Sequence, residues 1–400
     1  MDITLLLDKT ILVAVLFLIS LGVAAYSTYF ERKVAAFMQD RIGPDRAGPW
    51  GLLQPLADGG KFFFKEEIIP NAADKFLFIL GPSLAMLTSL MTSVVIPWGL
   101  PLEIAGRSFD LQVVDLNIGI LYVFGVVSLG TYGILIGGWA SNNKFALIGA
   151  IRASSQMISY ELAMGMAVVA IIMFTGSLSL KDIVDGQAGW HWNVLYQPLG
   201  FIIFLVCAFA ECNRTPFDLP ECETELVGGY HTEYSSMKLG LYLFAEYVNM
   251  FISSAVISCL YFGGYNMPFL HYAEMSPNTA AIISVLVMMG KTFFFIFFFM
   301  WIRWTIPRFR YDQLMRLGWQ ILIPLAIFNI LATGHEYIEK RKYQLKAKSQ
   351  KPKARKDATN KQIDSSSKKG NDSFGASVHS CDTRRNGHYA KALLQKRSYY

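Results

Sequence analysis

Eight stretches of the chain are apolar and almost free of charge: about 10–30, 76–98, 118–140, 157–175, 194–210, 239–262, 279–302 and 317–334. A helix rises 1.5 Å per residue, so roughly 20 apolar residues cross a bilayer core of about 30 Å. The fifth stretch is the shortest and is interrupted by Pro198. The first is expected to be an uncleaved span, because it lacks a basic start, its apolar run is long, and no small-x-small site follows it. The pattern predicts an all-α integral membrane protein of about eight transmembrane helices with amphipathic cytoplasmic-side loops.

Charge is distributed unevenly around these runs. Of 400 residues, 53% are apolar and 16% charged, where globular domains carry about 25% charged. Residues 341–400 hold 16 Lys/Arg against 4 Asp/Glu, while residues 1–340 hold 20 against 26. The chain therefore divides into a transmembrane body, 1–340, and a basic tail, 341–400, whose Lys, Ser, Asn and Asp predict disorder. An acidic, apolar body excludes nucleic acid as a partner, since such a partner needs a basic face on the folded part. The five cysteines form no C-x-x-C pair and the six histidines are scattered, so neither type marks a metal site. No glycine-rich nucleotide motif occurs.

Lys and Arg between the runs set the orientation. The first, third, fifth and seventh connections carry 7, 2, 2 and 4 of them, against 4 for the amino end, the even connections and 335–340 together. The odd connections are thus predicted to face the cytoplasm, with the amino terminus outside. Eight spans then place the basic tail outside as well. The first connection, 31–75, has Trp50, Leu53, Leu56, Phe63 and Phe64 near helical spacing. Two readings of it are open: an amphipathic segment at the membrane interface, or a loop packed against another protein of a complex.

Ionisable groups inside a bilayer are costly and are functional candidates by default. Glu161 lies about one turn into the fourth run, Glu246 seven residues into the sixth, and Lys291 twelve residues past Thr279 in the seventh. Glu211 closes the fifth run and is followed by Asp218, Glu221, Glu223 and Glu225. The alternating acids 221, 223 and 225 fit a partly protonated group that passes protons; they fit equally a solvated loop that pairs with arginines. Glu31, Arg32, Arg41, Arg303, Arg308 and Arg310 form a second group, at membrane borders on the predicted cytoplasmic side. Their spacing suits either positive-inside flanking with snorkelling or the wall of a tunnel for a polar lipid headgroup.

Several ordered motifs carry a resemblance: Glu-Arg-Lys-Val at 31–34, Arg-Ile-Gly-Pro at 41–44, and Gly-Leu-Leu-Gln-Pro-Leu-Ala-Asp at 51–58. Further along are Ser-Tyr-Glu at 159–161, the run from Ala210 to Val227, His-Thr-Glu-Tyr-Ser at 231–235 and Ala-Glu-Tyr at 245–247. Trp-Ile-Arg at 301–303 and Pro-Arg-Phe-Arg-Tyr-Asp-Gln-Leu-Met at 307–315 complete the series. Over about 10–335 the chain resembles the quinone-chamber membrane subunit of respiratory complex I, the bacterial NADH-quinone oxidoreductase.

The resemblance implies a multi-pass protein of the bacterial inner (cytoplasmic) membrane, a subunit of a proton-translocating NADH:quinone oxidoreductase. It would contact other membrane-arm and peripheral-arm subunits and the lipid bilayer, and would take quinone as substrate. It would hold no cofactor or redox centre itself; NADH, FMN and iron–sulfur clusters belong on partner subunits. Carried over by position, Arg32, Arg41, Asp58, Arg303, Arg308 and Arg310 would line or border the quinone cavity. Glu31, Glu161, Glu211, Glu221, Glu223, Glu225, Glu246 and Lys291 would form the proton relay, with Arg214 as counter-charge. Cys222 stands where the family usually has Gly or Ala. Two other classes share the buried acids: the homologous membrane subunit of a hydrogenase or formate-oxidising complex, and a free-standing ion carrier. The loops at 31–58 and 301–315 count against the first; a carrier would be active alone, whereas a complex subunit would copurify with many partners.

Overall fold

A computed structural model describes residues 3–104, 106–220, 226–339 and 342. The chain divides into two compact units, Met1–Tyr337 and Ile338–Tyr400; the elements below belong to the first, with the last turn of its final helix running to Glu339. The predicted tail at 341–400 and the acids Glu221, Glu223 and Glu225 lie outside the described residues, Lys342 apart.

The described fold is almost wholly helical, as the apolar runs require. Seven helices are long and apolar enough to cross a membrane. They are α1 (Ile3–Met38), α3 (Lys75–Thr92), α4 (Gly119–Ala140), α5 (Lys144–Thr175), α9 (Ser236–Tyr261), α10 (Pro277–Thr305) and α11 (Tyr311–Glu339). Shorter helices are α2 (Gln54–Phe64), α6 (Leu180–Gly186), α7 (Asn193–Tyr196) and α8 (Pro198–Glu211). The fifth predicted span is thus the 14-residue helix α8, about 21 Å long and too short to cross the core unaided. Pro198 has no amide hydrogen to continue a ladder from α7, so the chain restarts at Gln197. The second connection adds a small antiparallel hairpin, Leu102–Ile104 against Arg107–Phe109.

Helix α5 begins 13 residues before its apolar run because Asn143 caps it, accepting from the Phe145 amide at 2.9 Å. Glu161 consequently stands midway along a helix of 32 residues rather than near its start. In α11, a π-helical stretch covers Leu317–Leu322. It faces α5, where Tyr160 donates to the Leu314 carbonyl at 3.0 Å and Trp319 donates to Ser159 at 3.1 Å.

Helix α9 is the core of the bundle, packed against α1, α2, α3 and α10. Its Tyr242 hydroxyl reaches between α3 and α4 to the Gly133 carbonyl (3.1 Å), beside Tyr234, which donates to the Gly137 carbonyl at 3.1 Å. Small residues permit this approach. A Cβ on Gly133 would stand 2.8 Å from the Ala85 amide nitrogen and 2.9 Å from the Gly81 carbonyl, both backbone atoms that cannot turn aside. Large apolar side chains such as Leu18, Phe294 and Leu331 remain exposed on the outward faces, as lipid contact requires.

The close α3–α4 contact gives a direct expectation. Gly133→Ala should destabilise the purified protein by about 1–3 kcal/mol, the range for overpacking. Gly125→Ala, where an added Cβ meets nothing within 4 Å, should leave stability unchanged or slightly raised. Thermal unfolding of both variants in one detergent measures the contrast.

Candidate functional site

The acid Glu31, on the last turns of α1, is buried and lies between two guanidinium groups. Arg214, in the loop after α8, approaches one carboxylate oxygen at 2.8 Å, and Arg303, near the end of α10, approaches the other at 2.5 Å. Glu31 and Arg214 have side chains only 5% and 3% exposed. The ring of Tyr247 on α9 covers Arg214, with 4.0 Å from Cζ to the ring centroid, within cation–π range. Breaking a buried pair by removing one partner costs about 3–5 kcal/mol, so the triad fixes the relative positions of α1, α9, α10 and the loop after α8.

Tyr247 also lines a pocket of about 160 Å³ beside the amphipathic helix α2, mostly apolar with a few polar groups in its wall. Arg32 and Thr28 of α1, Asp58 and Phe62 of α2, and Phe244 and Tyr247 of α9 line it. Asp58 bonds Arg32 at 2.6 Å and Lys61 at 3.1 Å. Partial burial opposes its charge, but Lys61 and Arg32 outweigh that and hold the carboxyl below its ordinary value of 3.8. A depressed value means that the tie is complete above pH 3.8 and is lost only as the pH falls through the folded value. A larger groove of about 510 Å³ lies between α1 and α10, lined by Tyr26, Phe30, Phe293, Phe297 and Met300 among others. It is almost purely apolar and offers no acid–base chemistry.

Residues of α3, α4, α5, α8 and α9 enclose a second space. It provides about 40 Å³ lined by Thr88, Ser89, Glu211, Asn213, Glu246 and Ser253 among others, room for about three water molecules. Glu211 is buried, and among the described residues its Oε2 has no hydrogen-bond partner. Tyr230 donates to Glu246 at 3.3 Å. Glu211 also borders an adjoining space of about 40 Å³ whose wall includes Phe124, Val127 and Met164. Ser128, on the next turn of α4, donates to Glu161. Glu211 therefore lines both adjoining cavities and Glu246 the first of them, while Glu161, bonded to Ser128 beside the wall residue Val127, lines neither.

The loop after α8 is held in place by its own polar contacts. Gln156 of α5 donates to the Ala210 carbonyl (2.9 Å) and to that of Phe217 (2.8 Å). Arg308 pairs with buried Asp218 at 3.1 Å, and the Phe309 amide donates to the Pro216 carbonyl at 3.1 Å. The loop bearing Arg214 is thus joined to the α10–α11 connection.

The structure brings together many, not all, of the residues singled out in the sequence. Arg32 and Asp58 line the pocket; Glu31 and Arg303 form the triad with Arg214; Glu211 and Glu246 line the cavities, and Glu161 bonds Ser128 beside their wall. Arg41 and Arg310 are exposed and bond locally, to Gln39 and Gln313. Lys291 stands apart at the far end of α9. Its ammonium donates to the carbonyls of Phe262 (2.7 Å), Gly264 (2.8 Å) and Asn266 (2.6 Å), just beyond the helix terminus. Three acceptors match the three N–H groups of an ammonium. Sequence reasoning missed Tyr247 and Tyr230; the Ala-Glu-Tyr motif at 245–247 was the available signal.

Residues 10–334, which carry the triad, the pocket and the acid-lined cavities, match the NADH dehydrogenase family. The chain is 67% identical over 329 residues to an NADH-quinone oxidoreductase H subunit of Cytophaga hutchinsonii, covering 82% of this chain and 96% of that one. The chain belongs to this family. The corresponding protein of Flavobacterium johnsoniae is 61% identical over 336 residues, 84% of this chain and 96% of the relative. One from Geobacter sulfurreducens is 49% identical over 333 residues, 80% and 92% respectively. The matched family segment stops short of the tail.

The Lys291 contacts give a second expectation. Lys291→Met keeps the apolar stem and leaves three carbonyls without their donor, at about 1–3 kcal/mol for each acceptor left buried and unsatisfied. The unfolding temperature of the purified protein should fall; an unchanged unfolding temperature would show that the three carbonyls do not depend on the ammonium.

Proposed function

We propose that the chain is the membrane subunit of a bacterial inner-membrane NADH-quinone oxidoreductase that forms the quinone chamber and couples quinone reduction to proton translocation. The observation that carries this reading is the position of Glu246 and Tyr247. These neighbours on α9 face different spaces: Glu246 lines the acid cavity and Tyr247 lines the pocket and covers Arg214. Quinone reduction takes up two electrons and two protons, and charge developing on the headgroup would act on Arg32, Asp58 and the Glu31 triad. Displacement of Tyr247 or Arg214 changes the field at Glu246 and Glu211 over one helical step. Protons then redistribute among Glu161, Glu211 and Glu246 through cavity water. Arg214 has two further N–H groups, Nε and Nη2, without a hydrogen-bond partner among the described residues. Glu221, Glu223 and Glu225 would extend the relay.

Electrons would arrive from partner subunits that hold NADH, FMN and iron–sulfur clusters, docked over α2 and the α10–α11 connection. Arg41 and Arg310, exposed in this chain, would meet those partners or the headgroup there. The quinone-facing pocket favours this reading over a hydrogenase or formate-complex subunit and over a carrier, neither of which needs it. Exchange of Arg303 for Met should lower quinone reductase activity of the assembled complex by about tenfold, the rate equivalent of one charge-assisted hydrogen bond. Electron transfer from NADH to a soluble acceptor should persist, since that route ends before the pocket. Equal loss of both activities with normal assembly would remove Arg303 from quinone handling.

A further inference from the structure

Helix α2 has little packing of its own. Leu56, Phe63 and Phe64 are 69%, 71% and 92% exposed, and a Cβ added to Gly59 or Gly60 would meet nothing within 4 Å. Its position is decided by a few polar contacts to α1 and α9. Toward α1, Tyr29 donates to the Trp50 carbonyl at 2.7 Å and Arg32 pairs with Asp58 at 2.6 Å. Toward α9, the first turn of that helix grips the chain leaving α2. Ser236 donates to the Phe62 carbonyl at 2.9 Å, Ser235 accepts from the Ile68 amide at 3.0 Å, and the Lys238 ammonium pairs with Glu67. The Phe62 ring also covers Gly240, 3.4 Å from where a Cβ would stand.

We propose that Lys238, with Ser235 and Ser236, is a latch that positions α2 across the α1–α2–α9 pocket and so governs entry of a hydrophobic-tailed quinone. The proposal rests on the reading of that pocket as the quinone site. Lys238 is a positioning residue: it does not line the pocket, and acts through Phe62, which does. Its side chain is 10% exposed and its ammonium lies 5.5 Å from the Phe78 ring centroid, whereas Glu67 is 57% exposed. The buried cation is therefore the fixed half and the carboxylate the movable half. Ser236 has a φ of 54°, a left-handed backbone costly for a residue other than glycine. That conformation directs its hydroxyl to α2. The same helix carries Glu246 and Tyr247 two to three turns further on, so the latch and the acid cavity share one rigid element.

The test uses the assembled complex with Lys238→Met, Glu67→Gln and both together, and titrates a long-tailed and a short-tailed quinone. Glu67→Gln is at an exposed position and keeps the fold even where Lys238→Met reduces assembly. The KM for the long-tailed quinone should rise about three- to tenfold in each single variant, the range of one lost partly exposed ion pair. The double variant should be no worse than the singles, kcat should change little, and NADH oxidation by a soluble acceptor should be unchanged. Unaltered KM in Glu67→Gln, or additive effects in the double variant, would overturn the latch. Asp58→Asn, in the pocket wall, serves as reference. If it shifts the quinone KM and the latch variants do not, the latch alone fails; if none of them does, the quinone reading of the pocket fails with it.

Discussion

One carboxylate, Glu31, lies between Arg214 and Arg303 in a region where charge is expensive. Solvation lost by these groups is offset only while all partners keep their places, so the triad constrains everything that carries them. Arg214 fixes the loop after α8, which Gln156 and Asp218 tie to α5 and to the α10–α11 connection. Arg303 fixes the end of α10, and Tyr247 closes the triad from α9. A membrane bundle has no hydrophobic drive between its helices. Buried polar groups and close glycine contacts, such as Gly133 against α3, give this one its register.

From that register the functional arrangement follows. The pocket beside α2 and the acid-lined cavity are separate spaces, and α9 presents consecutive residues to them, Tyr247 to the first and Glu246 to the second. Coupling between them needs no long path, since Tyr247 and Glu246 are joined by one peptide bond. In the proposed coupling, chemistry in the pocket would reach Glu246 through the Arg214 guanidinium and the adjacent residue Tyr247 of a well-buried helix.

Hydropathy alone made most of the fold legible, because lipid demands long apolar runs and little else produces them. It failed where helices continue past lipid. The first 13 residues of α5 include Lys144, Arg152 and Gln156, and nothing in a hydropathy profile marks them as helical; the cap at Asn143 does. At α8 the opposite occurred, as Pro198 confines an apolar run to a short helix. Buried acids were legible as functional candidates; Glu211 and Glu246 line adjoining cavities, and Glu161 bonds Ser128 beside their wall. Lys291 carried the same signal, yet its partners are backbone carbonyls, which leave no mark in a sequence. The roles of Tyr247 and Tyr230 were hidden for a related reason: an aromatic residue beside an acid gains meaning only once Arg214 and the cavity are placed around it.

In the proposed coupling, the acids around the shared cavities carry the protons that quinone chemistry sets in motion, with Glu211 at the junction. Glu211→Gln preserves size and hydrogen bonding but cannot release a proton. Proton uptake by vesicles containing the reconstituted complex, normalised to assembled enzyme, tests the relay most directly. A relay through Glu211 predicts that pumping and quinone-linked turnover fall together while NADH oxidation by a soluble acceptor persists. Near-normal pumping in that variant would contradict it.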